Sequence, residues 1–161
     1  MKLSSQEEYG LRCLLQLARQ PDRSLAIPEI GLAEGISAHN VAKLLRILRQ
    51  GSIVESERGQ HGGYTLARPS HEITVGEVLA VLGGRLYEPG FCQNFSGIEK
   101  DCTHSSTQCS VRGLWHQLQH AVDEVLSRTT LHDLLHCGDG DYAPADTAAT
   151  PGLLEITAAD C

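Results

Sequence analysis

The stretch from Pro28 to Leu66 constrains this chain more than any other part of it. Pro28 suits the first turn of a helix, because its fixed φ matches and its missing N–H costs nothing there. That helix can run to about Glu34, where Gly35 breaks it. Ser37 is placed to cap a second helix. In it Val41, Leu44, Leu45 and Leu48 recur at helical spacing and make one apolar stripe. Lys43, Arg46 and Arg49 fall off that stripe, and Gly51 stops the helix. Ile53, Val54 and Glu55, then SERGQHGGY, then Thr65 and Leu66 read as short β-prone runs around a Gly-rich turn, which predicts a hairpin. Two helices joined by a tight turn and followed by a hairpin make the winged form of the helix-turn-helix.

The flanking residues extend this pattern. Ser4 and Ser5 precede Glu7 and Glu8, so either serine can cap a helix carrying Leu11, Leu14, Leu15 and Ala18. Pro21 and Asp22 end it. Beyond Pro69, Thr74 can cap a helix in which Val75, Val78, Leu79 and Leu82 share a face, and Gly83 and Gly84 close it. Ser110 is expected to cap a long helix. Val111, Leu114, Trp115, Leu118, Ala121, Val122 and Val125 follow the apolar periodicity there. A helix of this length, set beyond a small reader domain, reads as a dimerisation element. Thr130 starts a short last helix through Leu135. The remainder holds five acidic residues and no basic one, and its Gly, Pro, Ala and Asp content reads as a disordered acidic tail. The expected fold is mostly α with a small β-hairpin wing. Its expected parts are a DNA-binding unit (1–68), a linker helix and cysteine loop (69–110), a dimerisation helix with a short terminal helix (111–135), and the tail (136–161).

Three of the six cysteines, Cys92, Cys102 and Cys109, sit inside one 18-residue stretch. Three soft thiolates gathered in a loop-rich segment invite a metal or a cluster. No stretch reaches the roughly 18 apolar residues of a membrane span. The N-terminal MKLSSQEEYG lacks the apolar run of a signal peptide, so a cytoplasmic protein is expected, without a membrane partner. Thiols stay reduced in that compartment, which favours ligands over a disulfide framework. Zinc on Cys92, Cys102, Cys109 and His104 is the lower-ranked option, because the tight Cys-x-x-Cys pair of structural zinc sites is missing. Cys13, beside Leu14 on the first helix, reads as a small hydrophobe. His116 and His120 stand four apart but lack a third ligand. They read as surface histidines, as do His132 and His136.

Charge is ambiguous by itself. The net charge is −7. Residues 1–68 hold nine Lys and Arg against seven Asp and Glu, and residues 69–161 hold four against thirteen. DNA feels the local field of the face it meets, so the asymmetry matters more than the total. Yet a balance of +2 does not by itself point to nucleic acid. An enzyme is not expected. There is no Cys-x-x-Cys redox pair, no glycine-rich nucleotide motif after a strand, and no nucleophile–base pair.

The opening MKLSSQEEYGLRCLLQLA, the segment IPEIGLAEGISAHNVAKLLRILRQGSIVESERGQHGGYTLARP, the phrase ITVGEVL, and the cysteine loop running into a Trp-bearing helix together resemble the IscR/NsrR-type winged-helix regulators. The likeness runs from Met1 to about Leu135, and RGQHGGYTL is its most specific part. It implies a homodimer on palindromic double-stranded operator DNA, with the long helix after the loop at the dimer interface. It also implies an iron–sulfur cluster on Cys92, Cys102 and Cys109, a 2Fe–2S cluster ranked ahead of a 4Fe–4S one. The sequence departs from the family pattern at two places. The cysteines are spaced differently, with nine residues between Cys92 and Cys102 and six between Cys102 and Cys109. Arg112 stands where some relatives carry a ligating histidine. Other relatives take a fourth ligand from a carboxylate near the start of helix one, donated by the partner subunit. Glu8 matches that position, and His104 is the local alternative.

The fold also assigns DNA contacts. The N-terminal part of a recognition helix meets base edges, which puts Ser37, His39, Asn40 and Lys43 at the leading end. Asn40 can pair with adenine, and His39 with a base or a phosphate. Lys43 and Arg46 suit phosphates. On the wing, Arg58 and His61 can reach the minor groove or flanking phosphates, while Tyr64 is expected to pack beneath it. The expected function is a DNA-binding transcriptional regulator, a repressor or activator, that senses cluster status, redox or nitric oxide. Its alternatives are a cluster-free family member controlled by a partner protein or by thiol oxidation, and a zinc-loaded repressor.

Overall fold

The computed structural model describes residues 4–57, 59, 62–83 and 109–136. In chain order it contains α1 (Ser5–Ala18), α2 (Ile27–Glu34), α3 (Ala38–Gln50), β1 (Val54–Ser56), β2 (Tyr64–Leu66), a 3-10 turn (Ser70–Glu72), α4 (Val75–Leu82), α5 (Ser110–Arg128) and α6 (Leu131–His136). The fold is mostly helical with a two-stranded hairpin, as expected.

Helix starts follow their caps. Ser4, not Ser5, caps α1: its Oγ accepts from the Glu7 N–H, and the Glu7 carboxylate accepts from the Ser4 N–H at 2.6 Å. Ser37 Oγ accepts from the Asn40 N–H at 3.3 Å and starts α3. Thr74 and Glu77 form the same reciprocal box at α4. The Thr74 N–H, then Arg68, hold the Glu77 carboxyl below its usual range. Gly35 ends α2 at φ +66°, a left-handed conformation that costs a residue with a Cβ roughly 1–2 kcal/mol. That residue makes the tight turn between α2 and α3.

The start of α5 differs from expectation. Cys109 is the N-cap and Ser110 is the first helical residue. The extended Cys109 backbone already offers its carbonyl to the Gly113 N–H at 3.1 Å, which sets the helix one residue earlier. Thr130 does start α6: its Oγ1 accepts from the Asp133 N–H, and the Asp133 carboxylate accepts from the Thr130 N–H at 2.8 Å. The Thr130 hydroxyl, which donates to the carboxylate at 2.7 Å, and then the Thr130 N–H hold the Asp133 carboxyl below its usual range.

One apolar core runs through these elements. It takes Cys13, Leu14 and Leu17 from α1, Ile30 from α2, Val41, Leu44, Leu45 and Leu48 from α3, Val78 and Leu82 from α4, and Leu131 from α6. Burying each large aliphatic side chain contributes about 1.5–3 kcal/mol. Leu131 is fully buried although it follows α5, because α6 folds back onto α1. Two backbone bonds clip this return: Val75 N–H to the Thr129 carbonyl at 2.8 Å, and Leu131 N–H to the Ile73 carbonyl at 3.0 Å.

The hairpin pairs Val54 with Leu66, Glu55 with Thr65, and Ser56 with Tyr64. Leu25 adds a short third rung, exchanging both backbone hydrogen bonds with Tyr64 at 2.9 and 3.0 Å. A Cβ on Gly63 would stand 2.6 Å from the Leu25 carbonyl oxygen, so only glycine permits this approach. Tyr64 packs against the core, as expected.

Candidate nucleic-acid interface and cysteine loop

The stripe that buries α3 decides what the helix shows. With Val41, Leu44, Leu45 and Leu48 inside, His39, Asn40, Lys43, Arg46 and Arg49 are exposed along the other side. Ser37 is exposed too, but its hydroxyl is engaged as the cap. α3 carries three cations and no carboxylate. Elsewhere in residues 1–68 three cations are neutralised locally. Arg12 pairs with Glu8 at 2.8 Å and reaches Glu34 at 4.0 Å, Arg23 pairs with Glu29 at 3.1 Å, and Arg68 pairs with Glu77 at 3.2 Å. Among the described residues no ion pair takes up Lys43, Arg46 or Arg49. Arg49 instead donates to Ser56 Oγ at 3.1 Å, tying α3 to the wing strand. The small net balance of this half of the chain therefore hides a helix face that stays positive. Arg58 and His61, the expected wing contacts, lie outside the described residues.

Of the loop groups, Cys92, Cys102 and His104 lie outside the described residues, as does the tail beyond His136. Cys109 is partly exposed at the N-cap of α5, and its side chain caps no helix N–H. Its sulfur is thus not committed to the helix, and a set of three thiolates suits an iron–sulfur cluster chemically. Cys13 is the opposite case. It is fully buried, and burial, then the Glu34 charge, push its thiol up to about 12. Among the described residues no three His, Cys, Asp or Glu side chains gather as a metal site. Glu8 is half-exposed, with Oε1 accepting from Arg12 Nε.

The loop leaves α4 beside the start of α1. The Gln6 side-chain amide donates to the Leu82 carbonyl, and Gly83 lies against Glu7. Sequence reasoning missed Gln6, because nothing in the local pattern marks a contact across 76 positions. α5 leaves its apolar stripe uncovered: Val111 and Val125 are 60% exposed and Leu114 52%, with Trp115 and Leu118 close behind.

The sequence matches the Rrf2 family model, described as an iron-dependent transcriptional regulator, over residues 3–137. The chain belongs to the Rrf2 family. It is 33% identical over 136 residues to Protein rrf2 of Nitratidesulfovibrio vulgaris, covering 84% of this chain and 87% of that protein. Among solved structures it is similar to CymR, the global cysteine regulator of B. subtilis, with a TM-score of 0.69 and 31% identity over 86% of this chain and 99% of the other. It is also similar to T. potens IscR, with a TM-score of 0.68 and 25% identity over 85% and 88%. This Rrf2-family chain is therefore a DNA-binding transcriptional regulator with a winged helix-turn-helix fold. Among its described residues no helix is long and apolar enough to cross a membrane.

Proposed function

We infer that this Rrf2-family regulator binds a palindromic operator as a homodimer and reads the state of an iron–sulfur cluster held on Cys92, Cys102 and Cys109, with Glu8 or His104 as the further ligand. The observation that carries this reading is the position of Cys109. It joins the cysteine loop directly to α5, while the other end of the loop leaves α4 at Gly83, against α1. When bound, the cluster would supply a redox-active group, and its loss would leave Cys92, Cys102 and Cys109 as free thiols. The chain's own residues carry the consequence. α5 presents Val111, Leu114, Trp115 and Leu118 to the partner subunit. α4 reaches α1 through Gln6 and Leu82, and α1 packs on α3. A small shift in this stack changes the spacing of two recognition helices, and operator spacing turns that into a change in affinity. Ser37, His39, Asn40, Lys43 and Arg46 serve as α3 contacts, with Arg58 and His61 on the wing.

Anaerobic purification tests this reading. The protein should be coloured and hold iron and acid-labile sulfide, and operator affinity should change when the cluster is removed. Single serine replacements at Cys92, Cys102 and Cys109 should abolish the colour. Unchanged colour and unchanged promoter occupancy in all three would end the proposal.

A cluster-free regulator governed by thiol oxidation is the second reading. Arg112, a cation in the first turn of α5 that cannot ligate, favours it, as does similarity to a protein named for cysteine regulation. A colourless protein whose operator affinity responds to oxidant would select it, and stoichiometric zinc without sulfide would select a zinc-loaded repressor.

A further inference from the structure

A cleft opens between the first two turns of α1 and the front half of α3. Ser5, Gln6 and Tyr9 line one wall, and Asn40, Lys43 and Leu44 the other. Leu44 forms the buried floor, while Ser5, Tyr9, Asn40 and Lys43 are exposed at the rim. No carboxylate lines it. Its polar equipment is two hydroxyls, amide groups and one ammonium. Among the described residues no hydrogen bond or ion pair engages the side chains of Ser5, Tyr9, Asn40 or Lys43. The Gln6 amide is held away on the Leu82 carbonyl.

We propose that this cleft seats a phosphate of the DNA backbone, with Lys43 supplying the charge and the Ser5 and Tyr9 hydroxyls, together with Asn40, the hydrogen bonds. This rests on the reading of α3 as the recognition helix and adds α1 to the DNA-binding surface. The geometry argues for it. A helix is about 10–12 Å across with its side chains, and the major groove is about 12 Å wide. A helix lying in the groove therefore meets a phosphate strand at each flank. The cleft lies at the flank of α3, beside the residues of its leading half. Lys43 belongs both to the outward face and to the cleft, so one side chain links the groove to its wall. Hydroxyl, amide and ammonium donors are the groups that position proteins on the backbone without reading sequence.

The test uses the full-length chain and two duplexes, the operator and a scrambled sequence of equal length. Ser5→Ala with Tyr9→Phe removes two hydroxyls and keeps the ring and the Ser4 cap. It should weaken binding to both duplexes by the same factor, on the order of tenfold. Lys43→Gln should lower the salt slope by about 1 for each subunit bound. Arg46→Gln, on α3 but outside the cleft, serves as control. If Arg46→Gln weakens binding while Ser5→Ala with Tyr9→Phe does not, the cleft holds no phosphate, and α3 remains the reader. If neither variant changes affinity, the assignment of α3 to DNA falls as well. A loss confined to the operator would mean a base contact and overturn the phosphate assignment. Saturable binding of inorganic phosphate to the DNA-free protein, abolished by Tyr9→Phe, would reassign the cleft to a free anion.

Discussion

The Gln6 side-chain amide donates to the backbone carbonyl of Leu82, joining the first turn of α1 to the last residue of α4. Leu82 is itself buried, so the bond satisfies a helix C-terminal carbonyl that α4 cannot satisfy for itself. Gln6→Leu keeps the bulk and removes the donor. It should cost about 1 kcal/mol in urea unfolding. The same variant should blunt the dependence of operator affinity on the state of the cysteine loop, because this bond ties the loop's departure point to α1. An unaltered ratio of the two affinities would remove Gln6 from that path.

Gly63 and Gly35 should fail for different reasons when replaced by alanine. At Gly63 the new Cβ would meet the Leu25 backbone, which has no side-chain end to swing aside, and roughly 2–3 kcal/mol should be lost with the rung between Leu25 and Tyr64. At Gly35 nothing stands within 4 Å, so only the left-handed backbone is penalised, at roughly 1–2 kcal/mol. Gly35→Asn should recover part of that loss, and Gly63→Asn should recover none. Equilibrium unfolding of the four variants checks the pattern.

Burial raises the Cys13 thiol from an ordinary value near 9.0 to about 12. The folded state therefore keeps a proton that the unfolded chain gives up above its own value. The stabilisation from this group is fully present below about pH 9 and declines as pH rises from there towards 12, by about 1.4 kcal/mol per unit. Cys13→Ala should be less stable at neutral pH, because buried volume is lost, yet show a flatter decline between pH 9 and 11. Parallel curves for the two proteins would contradict a buried neutral thiol. In folded protein stripped of any cluster, Cys13 should also resist alkylation at pH 8 that modifies Cys109.

The uncovered stripe of α5 predicts assembly. Leu114→Glu with Leu118→Glu places two carboxylates among Val111, Trp115 and Ala121 without breaking the helix. Sedimentation should report a monomer in place of a dimer. Operator affinity should drop on the order of tenfold or more as the two half-sites lose their linkage. A dimer that survives both substitutions would place the interface elsewhere.

The helices of the reader unit were legible because their signals are local. Ser37, Thr74, Gly35 and Gly51 act within a turn of where they stand, and the Val41–Leu48 stripe repeats with the helix itself. The positive character of α3 was only half legible. Counting charges along residues 1–68 mixes Lys43, Arg46 and Arg49 with Arg12, Arg23 and Arg68, which partners in space have already neutralised. The start of α5 was misplaced by one residue, since Ser110 is the better cap by type while the Cys109 carbonyl is the one in position.

By itself the order of residues determined the winged helix-turn-helix, its caps, the apolar faces and the gathering of Cys92, Cys102 and Cys109. Each of these depends on neighbours within a few positions or on simple proximity along the chain. Tertiary structure alone decided that Leu131 returns to the α1 core, that Leu25 extends the wing, that Gln6 holds the end of α4, and that Ser5 and Tyr9 open a cleft beside Lys43. Those relationships join residues far apart in sequence. They arise only when the apolar stripes of α1, α3 and α4 are buried against one another, and no local spacing encodes which polar groups that burial brings together.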